Sequence, residues 1–117
     1  MTVKLNKVAL DHAKHLVSKH QVSKDERDDW SEHQPSSDQE NEYLDKHGWE
    51  DYSRWYLGID DEMDEDTKGH YKFPYGDFRR LHRCGLMAAE SRAAQQDYED
   101  IRKAVANLHK RLDGDHA

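Results

Sequence analysis

The chain has 117 residues, 34% of them hydrophobic and 37% charged, and carries a net charge of -7. Against a usual content of roughly 45–50% apolar and about 25% charged residues, this excludes a large aliphatic core and leads us to expect one small domain with a flexible arm. The acidic balance argues against nucleic-acid binding, because such domains are commonly basic.

Three Trp, six Tyr and two Phe supply the apolar area that the aliphatic residues lack, each burying about 150–250 Å² when enclosed. Cys84 is the only cysteine, which allows no internal disulfide and points to a reducing compartment. The N-terminus has no continuous apolar run, and no stretch reaches the roughly 20 apolar residues of a membrane span. A soluble, cytoplasmic protein is the expectation.

Leu5, Val8, Ala9, His12, Leu16 and Val17 recur at helical spacing and predict an amphipathic helix over residues 4–20. Ser23 and Glu26 have capping-box spacing for a short second helix or turn. The polar stretch "EHQPSSDQENEY" then reads as a linker, and Ser37 with Glu40 predicts another capping box for a helix over 38–47. Gly48 is its natural stop. Residues 1–35 are expected to be a loosely attached helix and turn, and residues 36–117 a helical domain.

In "WEDYSRWYLGID", Trp49, Tyr52, Trp55 and Tyr56 share one face if the segment is helical, giving an aromatic ridge. "DDEMDEDTKG" reads as an acidic turn and "YKFPYGD" as a loop. Asp77 is placed to cap a long helix over 78–95, with Phe78, Leu81, Gly85, Leu86, Ala89 and Ala93 as its buried stripe. A last helix is capped by Asp97 and buries Ile101, Ala104, Val105, Leu108 and Leu112. The short connection makes these two a helical hairpin. No strand pattern stands out, so the expected class is all-α: a small helical bundle with a long aromatic and acidic loop region.

Arg79, Arg80 and Arg83 crowd the predicted start of the 78–95 helix, where cations oppose the macrodipole. The acidic run Asp60, Asp61, Glu62, Asp64, Glu65 and Asp66 offers them internal ion pairs. An anion held by the arginines and free N–H groups is the functional alternative. Tyr71, Phe73, Tyr75 and Phe78 interleave with bases as in single-strand binders, but the acidic chain weighs against that.

His12, His15, His70, His82 and Cys84 lack a compact metal signature, and the acidic run has Glu65 where a calcium loop needs glycine. No cofactor is expected. Nothing resembles a phosphate loop, a nucleophile elbow or a spaced catalytic pair, so no enzymatic activity is expected.

Residues 49–113, with the Trp-rich patch, Leu57–Asp60, Thr67, "YKFPYGD", "LHRCGL" and "SRAAQ" in order, resemble a family of small uncharacterised bacterial and prophage-associated helical proteins. The resemblance implies two Ala-rich helices after the loop, and it implies that Arg83 and Arg92 matter more than His82 and Cys84. Arg92 would then be a partly buried ion-pair anchor. It implies no activity.

The resulting expectation is a small non-enzymatic module that binds a protein partner or a second copy of itself. Its candidate contact residues are Trp49, Tyr52, Trp55, Tyr56, Tyr75, Arg79, Arg80 and Arg83, the residue types common at binding hot spots. Anion or nucleic-acid binding at the start of the helix near residue 78 is the alternative.

Overall fold

Tyr56–Leu57–Gly58–Ile59 is a short apolar run with too few residues for a helix of its own, and periodicity cannot assign such a run. In the computed structural model, which describes residues 3–24 and 30–114, it is the central strand of a sheet. The expectation of an all-α bundle is therefore overturned: the protein is mixed α/β.

Among the described residues the order is β1 (Val3–Leu5), α1 (Lys7–Ser18), β2 (Val22–Ser23), α2 (Trp30–His33), α3 (Ser37–Ser53), β3 (Tyr56–Asp60), β4 (Tyr71–Pro74), β5 (Leu81–His82), α4 (Arg83–Gln95) and α5 (Glu99–Gly114). A 3₁₀ turn at Lys68–His70 precedes β4. β3 pairs antiparallel with β1 on one side and β4 on the other, placing Val3 opposite Asp60 and Gly58 opposite Lys72. β2 and β5 form a separate two-stranded parallel ladder, Val22 opposite Leu81.

The strands escaped the sequence reading for identifiable reasons. Val3–Leu5 continues into α1 with only Asn6 between them, so the helical period absorbed it. "YKFP" reads as loop because Pro74 follows Phe73, yet proline is compatible with an edge strand, and among the described residues β4 pairs with β3 alone. β3 is buried at Tyr56, Leu57, Gly58 and Asp60, so it lacks the alternation of a half-exposed strand.

Helix α1 begins at Lys7, and its buried residues are Ala9, Ala13, Leu16 and Val17, while Val8 points to solvent. Buried Asn6 fastens this end to the rest: its N–H donates to Leu57 O (2.8 Å), and its side-chain amide donates to Ser53 O (2.9 Å) and Tyr56 O (3.0 Å). Val3 and α1 belong to the same hydrophobic core as β3, β4, α4 and α5. Glu26, half of one predicted capping box, lies outside the described residues, and Ser23 is in β2.

The second capping box forms one residue earlier than expected: Gln39 N–H donates to Ser36 Oγ (3.2 Å) and Ser36 N–H to Gln39 Oε1 (2.8 Å). Gly48 does interrupt the helix, with φ 82° and ψ 175°, a conformation that suits glycine. Helical structure resumes beyond it and carries Trp49 and Tyr52.

The C-terminal hairpin forms, but Phe78 and Leu81 of the expected stripe lie before α4 and Ala104 is only half-buried. Cys84, Leu86, Ala89 and Ala93 of α4 and Ile101, Val105, Leu108 and Leu112 of α5 are buried. Arg83 at the start of α4 meets Asp113 at the end of α5, so the two run antiparallel. Tyr98 N–H donates to Ala93 O (2.9 Å), and Tyr98 O accepts from Arg102 N–H (2.9 Å) to open α5. Asp97, expected as the cap, instead holds the left-handed turn position with φ 60°. Helix α4 begins at Arg83 and not at residue 78. No helix among the described residues is long and apolar enough to cross a membrane.

Candidate functional site

Asp77 was read as a helix cap, and its carboxylate does accept backbone N–H groups in the cap manner. Oδ1 accepts from Arg79 N–H (3.0 Å) and Arg80 N–H (2.8 Å), while Oδ2 lies 2.9 Å from His82 Nε2. Asp77 N–H in turn donates to Arg80 O (3.2 Å). What Asp77 caps is a four-residue corner, after which the chain enters β5. Burial acts to raise the Asp77 pKa, but the His82 ring and the two N–H donors outweigh it and hold the carboxyl below its ordinary value.

Within this corner Phe78 has φ 69°. That left-handed conformation is sparsely used by bulky residues and costs of the order of 1–3 kcal/mol. In this conformation the ring is half-buried and stacked on Tyr43, with centroids 4.4 Å apart and planes 12° apart. Tyr43 lies 4.3 Å from His47, one helical turn further along α3. On its inner side Phe78 meets the edge of Trp55 at 6.0 Å, and Tyr43 Oη accepts from Trp55 Nε1 (3.3 Å). The stack His47–Tyr43–Phe78 thus continues into the aromatic core.

A cleft of about 520 Å³ opens over this stack. Among the described residues it is lined by Tyr43, Lys46 and His47 of α3, Phe78 and Arg79 of the corner, and the carboxylates Glu32 and Glu42. Its rim mixes charges, with Lys46 already paired to Glu42 at 2.9 Å.

The sequence-predicted residues separate into three groups. Tyr52, Trp55, Tyr56 and Tyr75 are core residues. The ridge dissolves because helical geometry stops at Ser53 and Tyr56 begins a strand. Tyr56 Oη donates to Glu40 Oε2 (3.0 Å) and lies 2.8 Å from Tyr52 Oη, while Lys68 reaches Glu40 Oε1 at 3.3 Å. Burial raises both phenols, Tyr52 to about 12. Tyr75 Oη donates to Arg54 O (2.7 Å) from a fully buried position. Trp49 is half-buried and stacked on Tyr71 at 5.6 Å.

Arg83 stands apart from the other arginines, forming a two-point pair with Asp113 (Nε to Oδ1 2.9 Å, Nη2 to Oδ2 3.4 Å) that ties the ends of the hairpin. Only Arg79 and Arg80 are exposed together, and neither makes an ion pair among the described residues. The acidic run does not neutralise them. Asp61 pairs with Lys4 (2.7 Å), and Asp60 and Asp64 accept N–H groups of their own turn. Arg92 is exposed, not partly buried.

Sequence reasoning missed Tyr43 and His47 and assigned Phe78 to a helical stripe. The Tyr43–His47 spacing of four on a predicted helix was the available signal. The histidines are dispersed: His12 meets the edge of Trp55 at 4.9 Å, His70 Nδ1 lies 2.9 Å from Met63 O, and His82 faces Asp77. Among the described residues no group of three or more His, Cys, Asp or Glu is placed to hold a metal ion. Comparison with protein-family models, curated proteins and solved structures found no match.

Proposed function

We propose that the protein is a non-enzymatic binding module whose contact surface is the cleft between α3 and the Asp77–Arg80 corner, occupied by a segment of a protein partner. The observation that carries this reading is Phe78, an aromatic residue kept in a strained left-handed conformation and stacked on Tyr43 in the cleft wall. Strain of this kind persists where surrounding bonds over-determine it, and it clusters at binding sites. Aromatic and arginine side chains in such a wall are the usual energetic anchors of a protein contact. The likeness of residues 49–113 to small prophage-associated proteins belongs to the same proposal and adds no activity to it.

The exposed Arg79–Arg80 pair favours one second reading, an anionic partner such as a nucleic acid. Here the arginines act as surface charges on a turn, without the helix N-terminus expected from sequence.

The test is capture from a host lysate, comparing wild type with folded Phe78→Ala and Arg79→Glu/Arg80→Glu variants. A protein lost with both variants supports the module. A nucleic acid lost only with the charge reversal, and weakening steeply with salt, supports the second reading. Profiles unchanged by either variant refute both.

A further inference from the structure

In a regular strand neighbouring side chains point to opposite faces, yet Lys72 and Phe73 of β4 line one cleft. Phe73 interrupts the strand with φ 62°, and that departure lets both residues border the same space. Their cleft also takes Val3 from β1, Arg92 and Gln96 from the end of α4, and Tyr98. Its volume of about 370 Å³ lies within the roughly 300–1,000 Å³ of small-molecule sites.

The floor is apolar and aromatic. Phe73 and Tyr98 meet edge to face at 6.0 Å and 90°. Gly58 underlies the Phe73 ring: a Cβ there would stand 2.7 Å from Phe73 Cδ2 and 3.1 Å from Val3 Cγ1. The bare backbone at this position is therefore what lets the ring approach β3 this closely.

The rim is basic in an acidic chain. Lys72 and Arg92 approach from different elements, the described lining contains no carboxylate, and neither cation makes an ion pair among the described residues. A guanidinium and an ammonium bordering an aromatic floor match an anion joined to an apolar ring.

We propose that this cleft binds a small aromatic carboxylate, its ring against Phe73 and Tyr98 and its carboxylate between Lys72 and Arg92. A bare phosphate would satisfy the cations and leave the floor uncovered. A neutral ring would leave the cations unused. The proposal is independent of the Phe78 cleft, since the two share no lining residue.

The experiment is an amide NMR titration of the full chain with 3-phenylpropionate, alongside 3-phenylpropanol, acetate and inorganic phosphate. The expected result is saturable shifts centred on Phe73, Gln96 and Tyr98. Binding of 3-phenylpropanol should be about tenfold weaker or worse, since it lacks the charge-assisted bonds. Acetate and phosphate should give no saturation over the same range. Lys72→Gln and Arg92→Gln each remove a charge outside the core, and each should weaken 3-phenylpropionate about tenfold. The proposal is overturned by equal binding of the alcohol, by phosphate shifting the same amides as strongly, by unchanged binding in the double variant, or by no saturable shift at these residues.

Discussion

Replacing Asp77 by alanine removes the one carboxylate oxygen that accepts from both Arg79 and Arg80 N–H, together with the partner of His82. Loss of a cap-type acceptor costs about 0.5–2 kcal/mol. The His82 contact adds less than a buried charged bond would, because the Asp77 side chain is 34% exposed and water can replace it. Relief of strain at Phe78 offsets part of the loss. We expect a net cost of about 2 kcal/mol, a fall in Tm of about 8 °C at the roughly 4 °C per kcal/mol that suits this chain length. Asp77→Asn keeps an oxygen for both N–H groups and should cost about half as much.

Urea titrations followed by circular dichroism measure both variants, and the pH dependence of their difference supplies a second readout. The folded carboxyl lies below its ordinary value, so its contribution is complete above about pH 4 and is lost as pH falls through the folded pKa. The advantage of wild type over Asp77→Asn should therefore shrink as pH falls below about 4. Equal costs for alanine and asparagine would refute the reasoning, since the amide acceptor would not then be what holds the corner. So would a cost for alanine below about 0.5 kcal/mol, the bottom of the cap range.

Tyr75→Phe should destabilise by about 1–2 kcal/mol in the same titrations by leaving the Arg54 carbonyl without its donor, and should leave partner capture unchanged. Gly58→Ala pushes a methyl group into the Phe73 ring and should cost about 1–3 kcal/mol, seen as a lower urea midpoint. Arg83→Gln should cost less than about 1 kcal/mol in thermal melts, because its pair with Asp113 is partly open to water. In alkali, Tyr52 and Tyr56 have folded pKa values above the unfolded value of about 10. Their stabilisation is complete below that pH and lost as pH rises toward 12, so phenolate absorbance should show their late titration coupled to unfolding.

The parts legible in the sequence were those whose signal repeats over several turns. Ile101, Val105, Leu108 and Leu112 mark one face of α5 four times over, and the core uses all four. The strands have two to five residues each, too few for a period to emerge. Their pairing is also non-local, as with Val3 and Asp60, and composition carries no trace of it. Trp55 and Tyr56 show how the site was misread: their spacing from Tyr52 fits a helix, but the helix ends two residues before Trp55 and the side chains turn inward. Asp77 was identified correctly as an acceptor for N–H groups and attached to the wrong element. Helical periodicity through Phe78 and Leu81 bridged a corner that only backbone dihedrals reveal.

Cys84, 1% exposed on α4, is the only thiol in the chain. Alkylation requires contact between reagent and thiolate, so labelling proceeds through conformations in which Cys84 has become exposed. With a slow reagent the labelling rate follows the equilibrium fraction of open molecules, and with a fast one it follows the opening rate itself. Varying the reagent concentration therefore resolves how often the surroundings of Cys84 open and how long they stay open, under native conditions and with no engineered probe. The protein carries its own stopwatch.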